Sequence, residues 1–144
     1  MLLLSIHPII QFSATLLAFY VFYLGVQRFR SLHLKHKVRF NWKRHVALGM
    51  VVLITWPVGL LTGIILVRTY WHGFLITETH GKVALAMAPL ILFGLFSGLY
   101  MDRVKKRRTL LPLIHGINNL VVLALALAQV VIGWGVYNTF VLGN

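Results

Sequence analysis

The chain has no cysteine, and only two of its 144 residues are acidic, Glu78 and Asp102. Without cysteine it cannot form disulfides, iron–sulfur clusters, zinc–thiolate sites or a covalently attached c-type haem. Both acids lie at the edges of apolar segments, which argues against a transporter driven by an intramembrane carboxylate. No phosphate-binding loop, Ser-His-Asp order or catalytic pair of carboxylates is recognisable.

Apolar residues, by contrast, make up 59% of the chain. They form four runs, at approximately 5–27, 45–67, 80–101 and 109–137, each long enough to cross about 30 Å of hydrocarbon. Pro57 and Pro89 fall inside the second and third runs, where membrane helices tolerate proline at kinks. Thr109 is a candidate N-cap of the fourth. The first run lacks the charged start and cleavage site of a signal peptide. We predict an all-α, integral membrane antiparallel four-helix bundle with a single domain over residues 1–144.

The net charge of +12 lies almost entirely between the apolar runs. Residues 28–44 carry seven basic side chains and residues 102–108 carry five, whereas the other side has only Arg68, Glu78 and Lys82. The excess of lysine and arginine predicts that both basic loops are cytoplasmic and that both termini lie outside. We therefore expect a multi-pass protein of the cytoplasmic (inner) membrane, with anionic lipid rather than nucleic acid as the partner of these charges.

Histidines stand at or near the start of each helix: His7, His45, His80 and His115. In an antiparallel bundle, helices 1 and 3 start at the outer surface and helices 2 and 4 at the cytoplasmic surface. Each of these pairs is diagonal, so it presents two imidazoles at one depth, facing across the bundle. Bis-histidine ligation of haem iron needs such a pair. The pattern predicts two non-covalent b-type haems, an outer one between His7 and His80 and an inner one between His45 and His115.

A glycine follows each of these histidines after eighteen residues, which is five helical turns or about 27 Å. These glycines are Gly25, Gly63, Gly98 and Gly133. Since only 12 of 144 residues are glycine, four matches are on the order of one in twenty thousand by chance, before allowing for the choice of spacing. We expect each glycine to let the haem at the far end of its helix approach the backbone. The 35-residue intervals from His45 to His80 to His115 also indicate an internal repeat.

Four consecutive helices each carry one of these histidines, His7, His45, His80 and His115, and two of the four are followed directly by glycine, in His80-Gly81 and His115-Gly116. In these features the chain resembles the cytochrome b561 family and its small bacterial four-helix relatives. The resemblance covers nearly the whole chain, although the extra flanking helices of larger members are absent. It implies two b haems and transmembrane electron transfer from quinol, ascorbate or a redox partner. The chain is also similar to the cytochrome b subunits of bacterial dehydrogenases, so the resemblance leaves two alternatives, a protein that acts alone and a subunit of a larger complex.

Candidate substrate residues lie in the outer loop. His72 or Glu78 could accept a proton from quinol, and with Lys82 they form a candidate quinol site beside Tyr70 and Trp71; an interfacial belt is the simpler explanation. His72 is also an alternative to His80 as a ligand. No other catalytic residue is indicated. At the inner surface, basic and amide side chains that serve topology and lipid binding could also meet haem propionates: Lys43, Arg44, Arg107, Arg108, Asn118 and Asn119.

His33 and His36 lie in a basic loop, where we expect them to form a solvated or lipid-facing surface.

Two other functions fit parts of the histidine pattern. Histidine pairs could hold copper or zinc, but their separation by about five turns favours two sites over one cluster. The principal alternative to electron transfer between a quinone pool and a redox partner is a membrane anchor subunit of a respiratory or dehydrogenase complex, in which haem is absent or purely structural.

Overall fold

A computed structural model describes residues 2–143 of the chain. It contains four long helices, α1 (Leu2–Leu32), α2 (Trp42–Trp71), α3 (Thr79–Arg103) and α4 (Leu110–Tyr137), and a final π-helical turn over Asn138–Leu142. Residues 2–143 include no β-strand. All four helices are long and apolar enough to cross a membrane. The predicted all-α four-helix bundle is therefore confirmed.

Helices α1, α2 and α3 extend beyond the predicted apolar runs at both ends, whereas α4 stays within its run. Asn41 caps α2, and its side chain accepts a hydrogen bond from the backbone N–H of Arg44. Thr109 occupies the predicted position before α4 but makes no capping hydrogen bond with its side chain. Helices α2 and α3 continue through Pro57 and Pro89. The chain leaves α2 at His72, whose left-handed backbone (φ 53°) turns it away from the helix axis.

Each helix packs against two neighbours: α1 and α3 both contact α2 and α4. The diagonal pairs are therefore α1 with α3 and α2 with α4, as the sequence predicted. A layer of buried side chains fills the middle of the bundle: Ala14, Ala18, Val52, Leu53, Trp56, Met87, Ile91, Val122, Leu123 and Ala126. Many large apolar side chains are exposed outside both cavities instead, including Leu61, Ile65 and Phe96. This distribution suits a bundle whose solvent is lipid, where small residues allow close helix packing.

The two ends of the bundle differ in charge. The loops that join α1 to α2 and α3 to α4 lie at one end, called here the basic end. These loops and the adjoining helix ends carry 12 of the 14 lysines and arginines. The α3–α4 loop contacts the start of α2, since Lys105 Nζ lies 3.8 Å from the centre of the Trp42 ring. Lys105 also pairs with Asp102 Oδ1, at the end of α3, at 3.0 Å. The loop that joins α2 to α3 lies at the opposite end, beside the start of α1.

Candidate cofactor sites

Two cavities of nearly equal size occupy the ends of the bundle. The basic-end cavity measures about 790 Å³ and is lined by His45 and His115. The opposite-end cavity measures about 800 Å³ and is lined by His7 and His80. Both volumes fall in the range of cofactor and ligand pockets, about 300–1,000 Å³. The diagonal helix pairs thus bring the four histidines together in the two pairs that the sequence predicted.

In the basic-end cavity the two imidazoles face each other from α2 and α4. The ring centroids of His45 and His115 are 6.4 Å apart. A metal bonded to one nitrogen of each ring at about 2 Å would separate the centroids by about 6 Å. Within residues 2–143 no three histidine, cysteine or acidic residues gather into one group. The arrangement can therefore supply two axial ligands to a metal whose other positions are filled from elsewhere.

Hydrogen bonds fix which ring nitrogen is free in the basic-end pair. His45 Nδ1 lies 3.1 Å from the carbonyl oxygen of Val21, which can only accept, so His45 must donate Nδ1–H. His115 Nδ1 lies 2.8 Å from Ser97 Oγ, whose own hydrogen goes to the Gly94 carbonyl. His115 therefore also donates from Nδ1. In both neutral rings the lone pair is left on Nε2, the nitrogen that a metal would bind.

A second contact agrees with this tautomer of His115. Asn119 Nδ2 donates to His115 Nε2 at 3.1 Å and to the His115 carbonyl at 2.9 Å. An Nε2 that accepts a hydrogen bond carries a lone pair. Asn119 Oδ1 is buried and has no hydrogen-bond partner in the described chain. A ligand in the cavity could take over the lone pair and leave the amide free to reorient.

The opposite-end cavity also has a contact between a histidine Nδ1 and a side-chain hydroxyl. His7 Nδ1 lies 3.4 Å from Thr62 Oγ1, and Thr62 donates its hydrogen to the Gly59 carbonyl at 2.9 Å. The two hydroxyls belong to matching segments, Gly59-Leu-Leu-Thr-Gly63 and Gly94-Leu-Phe-Ser-Gly98, which start 35 residues apart. Sequence reasoning recognised the interval and the terminal glycines but missed Thr62 and Ser97. The repeated segment was the signal that could have found them.

His80 is the exception among the four. Its Nδ1 is buried and makes no hydrogen bond of good geometry within residues 2–143, and the same is true of Gln129 Oε1, although the two side chains interact. Gln129 is held nearby, since its Nε2 donates to the His80 carbonyl at 2.9 Å. Both residues line the opposite-end cavity. The side-chain oxygen of Gln129 is therefore an available acceptor for His80 at the edge of the cavity, where a buried polar atom without a good hydrogen bond is costly.

The four spaced glycines each lie against a histidine of the neighbouring helix. A Cβ built on Gly25 would be 3.3 Å from Cε1 of His45, and the same holds for Gly63 and His7. The other hairpin matches: Gly98 faces His115 at 3.3 Å, and Gly133 faces His80 at 3.0 Å. The immediate reason for the eighteen-residue spacing is thus space for the imidazole. That each glycine also lets a haem edge approach the backbone stays a prediction.

The linings of the two cavities differ in charge. The basic-end cavity is bordered by Arg28, Asp102, Lys105, Lys106, Arg107 and Arg108. Of the predicted cluster, Arg107, Arg108 and Asn119 are present, whereas Lys43, Arg44 and Asn118 lie outside this lining. His33, which was expected on a solvated or lipid-facing surface, is half-buried; it lines this cavity and stacks on Phe29 with ring centroids 5.1 Å apart. His36 is exposed, as expected.

The candidate quinol residues lie apart from the opposite-end cavity. His72, Glu78 and Lys82 are exposed, and none of them is among its lining residues. Of the predicted outer cluster, Trp71 alone lines it, and the Trp71 ring meets that of Phe140 edge-on at 5.5 Å. Aromatic side chains therefore border this part of the cavity, and the quinol site over His72, Glu78 and Lys82 stays a prediction.

Comparison with known proteins adds no constraint, since no family model, curated protein or solved structure matches this chain. The geometry of the two cavities is therefore the basis for inferring a function.

Proposed function

We propose that the chain is a transmembrane electron-transfer protein that holds one b-type haem in each cavity. The observation that carries the proposal is the pairing of imidazoles from diagonal helices in two equal cavities at opposite ends of the bundle. A haem would take its two protein ligands from the two histidines of a cavity. His45 and His115 are the proposed ligands at the basic end, and His7 and His80 at the other.

The remaining contacts prepare the rings for this role. Ligating histidines usually donate their second ring N–H to a neighbouring oxygen, which fixes the ring and raises its basicity as a ligand. Val21, Ser97 and Thr62 provide that oxygen for His45, His115 and His7. Bound iron at the basic end would replace the hydrogen bond from Asn119 to His115 Nε2. The apolar lining of both cavities suits a largely hydrophobic macrocycle.

Two sites in series along the bundle make a path across a membrane. The buried layer between them excludes water, and Trp56, only 8% exposed, lines both cavities. Bound haem would supply one-electron redox chemistry. The charge asymmetry of the loops favours a cytoplasmic basic end and termini on the outer side. The proposed donors and acceptors are the quinone/quinol pool and a redox partner protein or further subunits.

Haem content is the direct test. Because each cavity offers one complete axial pair, purified protein should contain about two non-covalent haems per chain, released intact by acidified organic solvent. Pyridine haemochrome analysis against protein concentration measures this ratio. A ratio near one would leave only one pair in use. A ratio near zero would leave the membrane anchor subunit as the better account of the chain.

The hydroxyl contacts predict a selective effect of Ser97. Ser97→Ala removes the acceptor for His115 Nδ1–H, and loss of such a partner typically lowers metal affinity about 10- to 100-fold. The basic-end haem should therefore be released faster, while the other haem is retained as in the wild type. Thr62→Ala should show the reverse selectivity. Ser97→Thr is the matched control, because threonine already performs this role beside His7; equal haem loss from both sites in either alanine variant would contradict the assignment.

A further inference from the structure

The two cavities have similar volumes and each contains a pair of histidines, but the charges of their lining residues differ. Five basic side chains and one acid border the basic-end cavity. The acid, Asp102, is already paired with Lys105. No lysine, arginine, aspartate or glutamate is among the described residues that line the opposite-end cavity, whose polar groups beyond the histidines include Ser5, Thr77 and Tyr137. A ligand with carboxylates would therefore meet different surroundings at the two ends.

Arg108 is the cation that the fold positions for a ligand. Its Nη2 donates to the Val104 carbonyl at 2.9 Å, and its guanidinium carbon lies 4.8 Å from the centre of the Tyr100 ring. Its Nη1 is buried and has no partner within residues 2–143. One side of the guanidinium is thus anchored on protein, while a buried donor on a residue that lines the cavity remains unmet. Guanidinium is well suited to pairing with carboxylate.

We infer that the basic-end cavity selects a dianionic porphyrin by pairing a propionate with Arg108, whereas the opposite-end cavity holds its porphyrin without an ion pair. This inference rests on the proposed haem function and goes beyond it, because it assigns different retaining forces to the two sites. The neighbouring cations Arg107, Lys105 and Lys106 add attraction that salt can screen, since they are exposed. Haem retention at the basic end should depend on salt and on propionate charge, and retention at the other end should depend on neither.

The first test measures haem release from purified holoprotein into excess apomyoglobin. Loss of one charge-assisted hydrogen bond in Arg108→Gln should accelerate release of one of the two haems on the order of tenfold. High salt should accelerate release of the same haem in the wild type. Arg68→Gln is the matched control, because Arg68 also stacks on an aromatic ring, at 5.5 Å from Phe74, but does not line the opposite-end cavity. It should release both haems at the wild-type rates.

The second test uses the wild-type chain and so does not depend on the folding of a variant. Apoprotein is titrated with iron protoporphyrin and with its dimethyl ester, in which both carboxylates are neutral. One site should bind the ester on the order of tenfold more weakly than the acid, and the other should bind both alike. Equal discrimination at both sites, or at neither, overturns the inference. Failure of the wild type to bind any iron porphyrin would instead overturn the proposed function.

Discussion

Replacing His45 with alanine is expected to remove one haem per chain and leave the other in place. His45 and His115 form one axial pair across the bundle, with centroids 6.4 Å apart. An iron with one remaining imidazole loses half of its protein ligation, so haem content should fall from about two to about one. His115→Ala should have the same effect, whereas His7→Ala or His80→Ala should remove the other haem. Pyridine haemochrome analysis and redox titration identify which haem remains.

Double variants test the diagonal pairing itself. His45→Ala with His115→Ala should still retain about one haem, because both changes destroy the same site. His45→Ala with His80→Ala should retain none. His72→Ala is the control, since His72 is exposed and outside the opposite-end lining. If His72→Ala removes a haem while His80→Ala does not, the opposite-end ligand has been assigned wrongly.

The sequence predicted the features that depend on length and periodicity. Four apolar runs of membrane-spanning length fixed the number of helices, and short loops made consecutive helices antiparallel neighbours. The depths of His7, His45, His80 and His115 then followed from their positions at helix starts. These inferences need no knowledge of individual contacts, because a helix advances about 1.5 Å per residue whatever its side chains do.

Features that depend on side-chain direction could not be predicted in the same way. The eighteen-residue spacing identified Gly133 but did not show that it contacts the imidazole of His80. That contact depends on how α4 is rotated about its axis, which the spacing does not give. Ser97 was overlooked because a serine inside an apolar run usually bonds its own helix, which it also does here through the Gly94 carbonyl. Proximity along the chain likewise suggested Lys43 and Arg44 for the basic-end cavity, but both are exposed and absent from its lining.

The repeat shows how one hairpin design serves two sites. In α1–α2, His7 meets Gly63 and His45 meets Gly25, so each helix carries a histidine at its start and a glycine for its neighbour's histidine near its end. The α3–α4 hairpin has the same exchange. Each proposed haem is thus held by one histidine from each hairpin. Each of these histidines packs against a glycine on the other helix of the same hairpin. Mutation of one of these glycines should therefore affect the haem site whose histidine it contacts.

Gly133→Leu should consequently perturb the haem of the opposite-end cavity, although α4 supplies its histidine to the basic-end haem. A Cβ on Gly133 would lie 3.0 Å from Cε1 and 3.3 Å from Nδ1 of His80. His80 would have to move, and overpacking of this kind typically costs about 1–3 kcal/mol. A displaced axial ring should weaken binding of that haem or shift its potential. Redox titration measures the change, with the two haems assigned from the histidine variants.

Gly135→Leu is the matched control for this substitution. It makes the same change two residues further along α4, but a Cβ on Gly135 meets nothing within 4 Å. Any general effect of replacing glycine with leucine in this helix should therefore appear in both variants, and displacement of His80 only in Gly133→Leu. The reciprocal variant Gly98→Leu should perturb the basic-end haem, because Gly98 lies 3.3 Å from His115 by the same measure. If Gly133→Leu behaves like Gly135→Leu, or shifts only the haem held by His115, the glycines serve helix packing and their proposed role beside the ligand histidines is wrong.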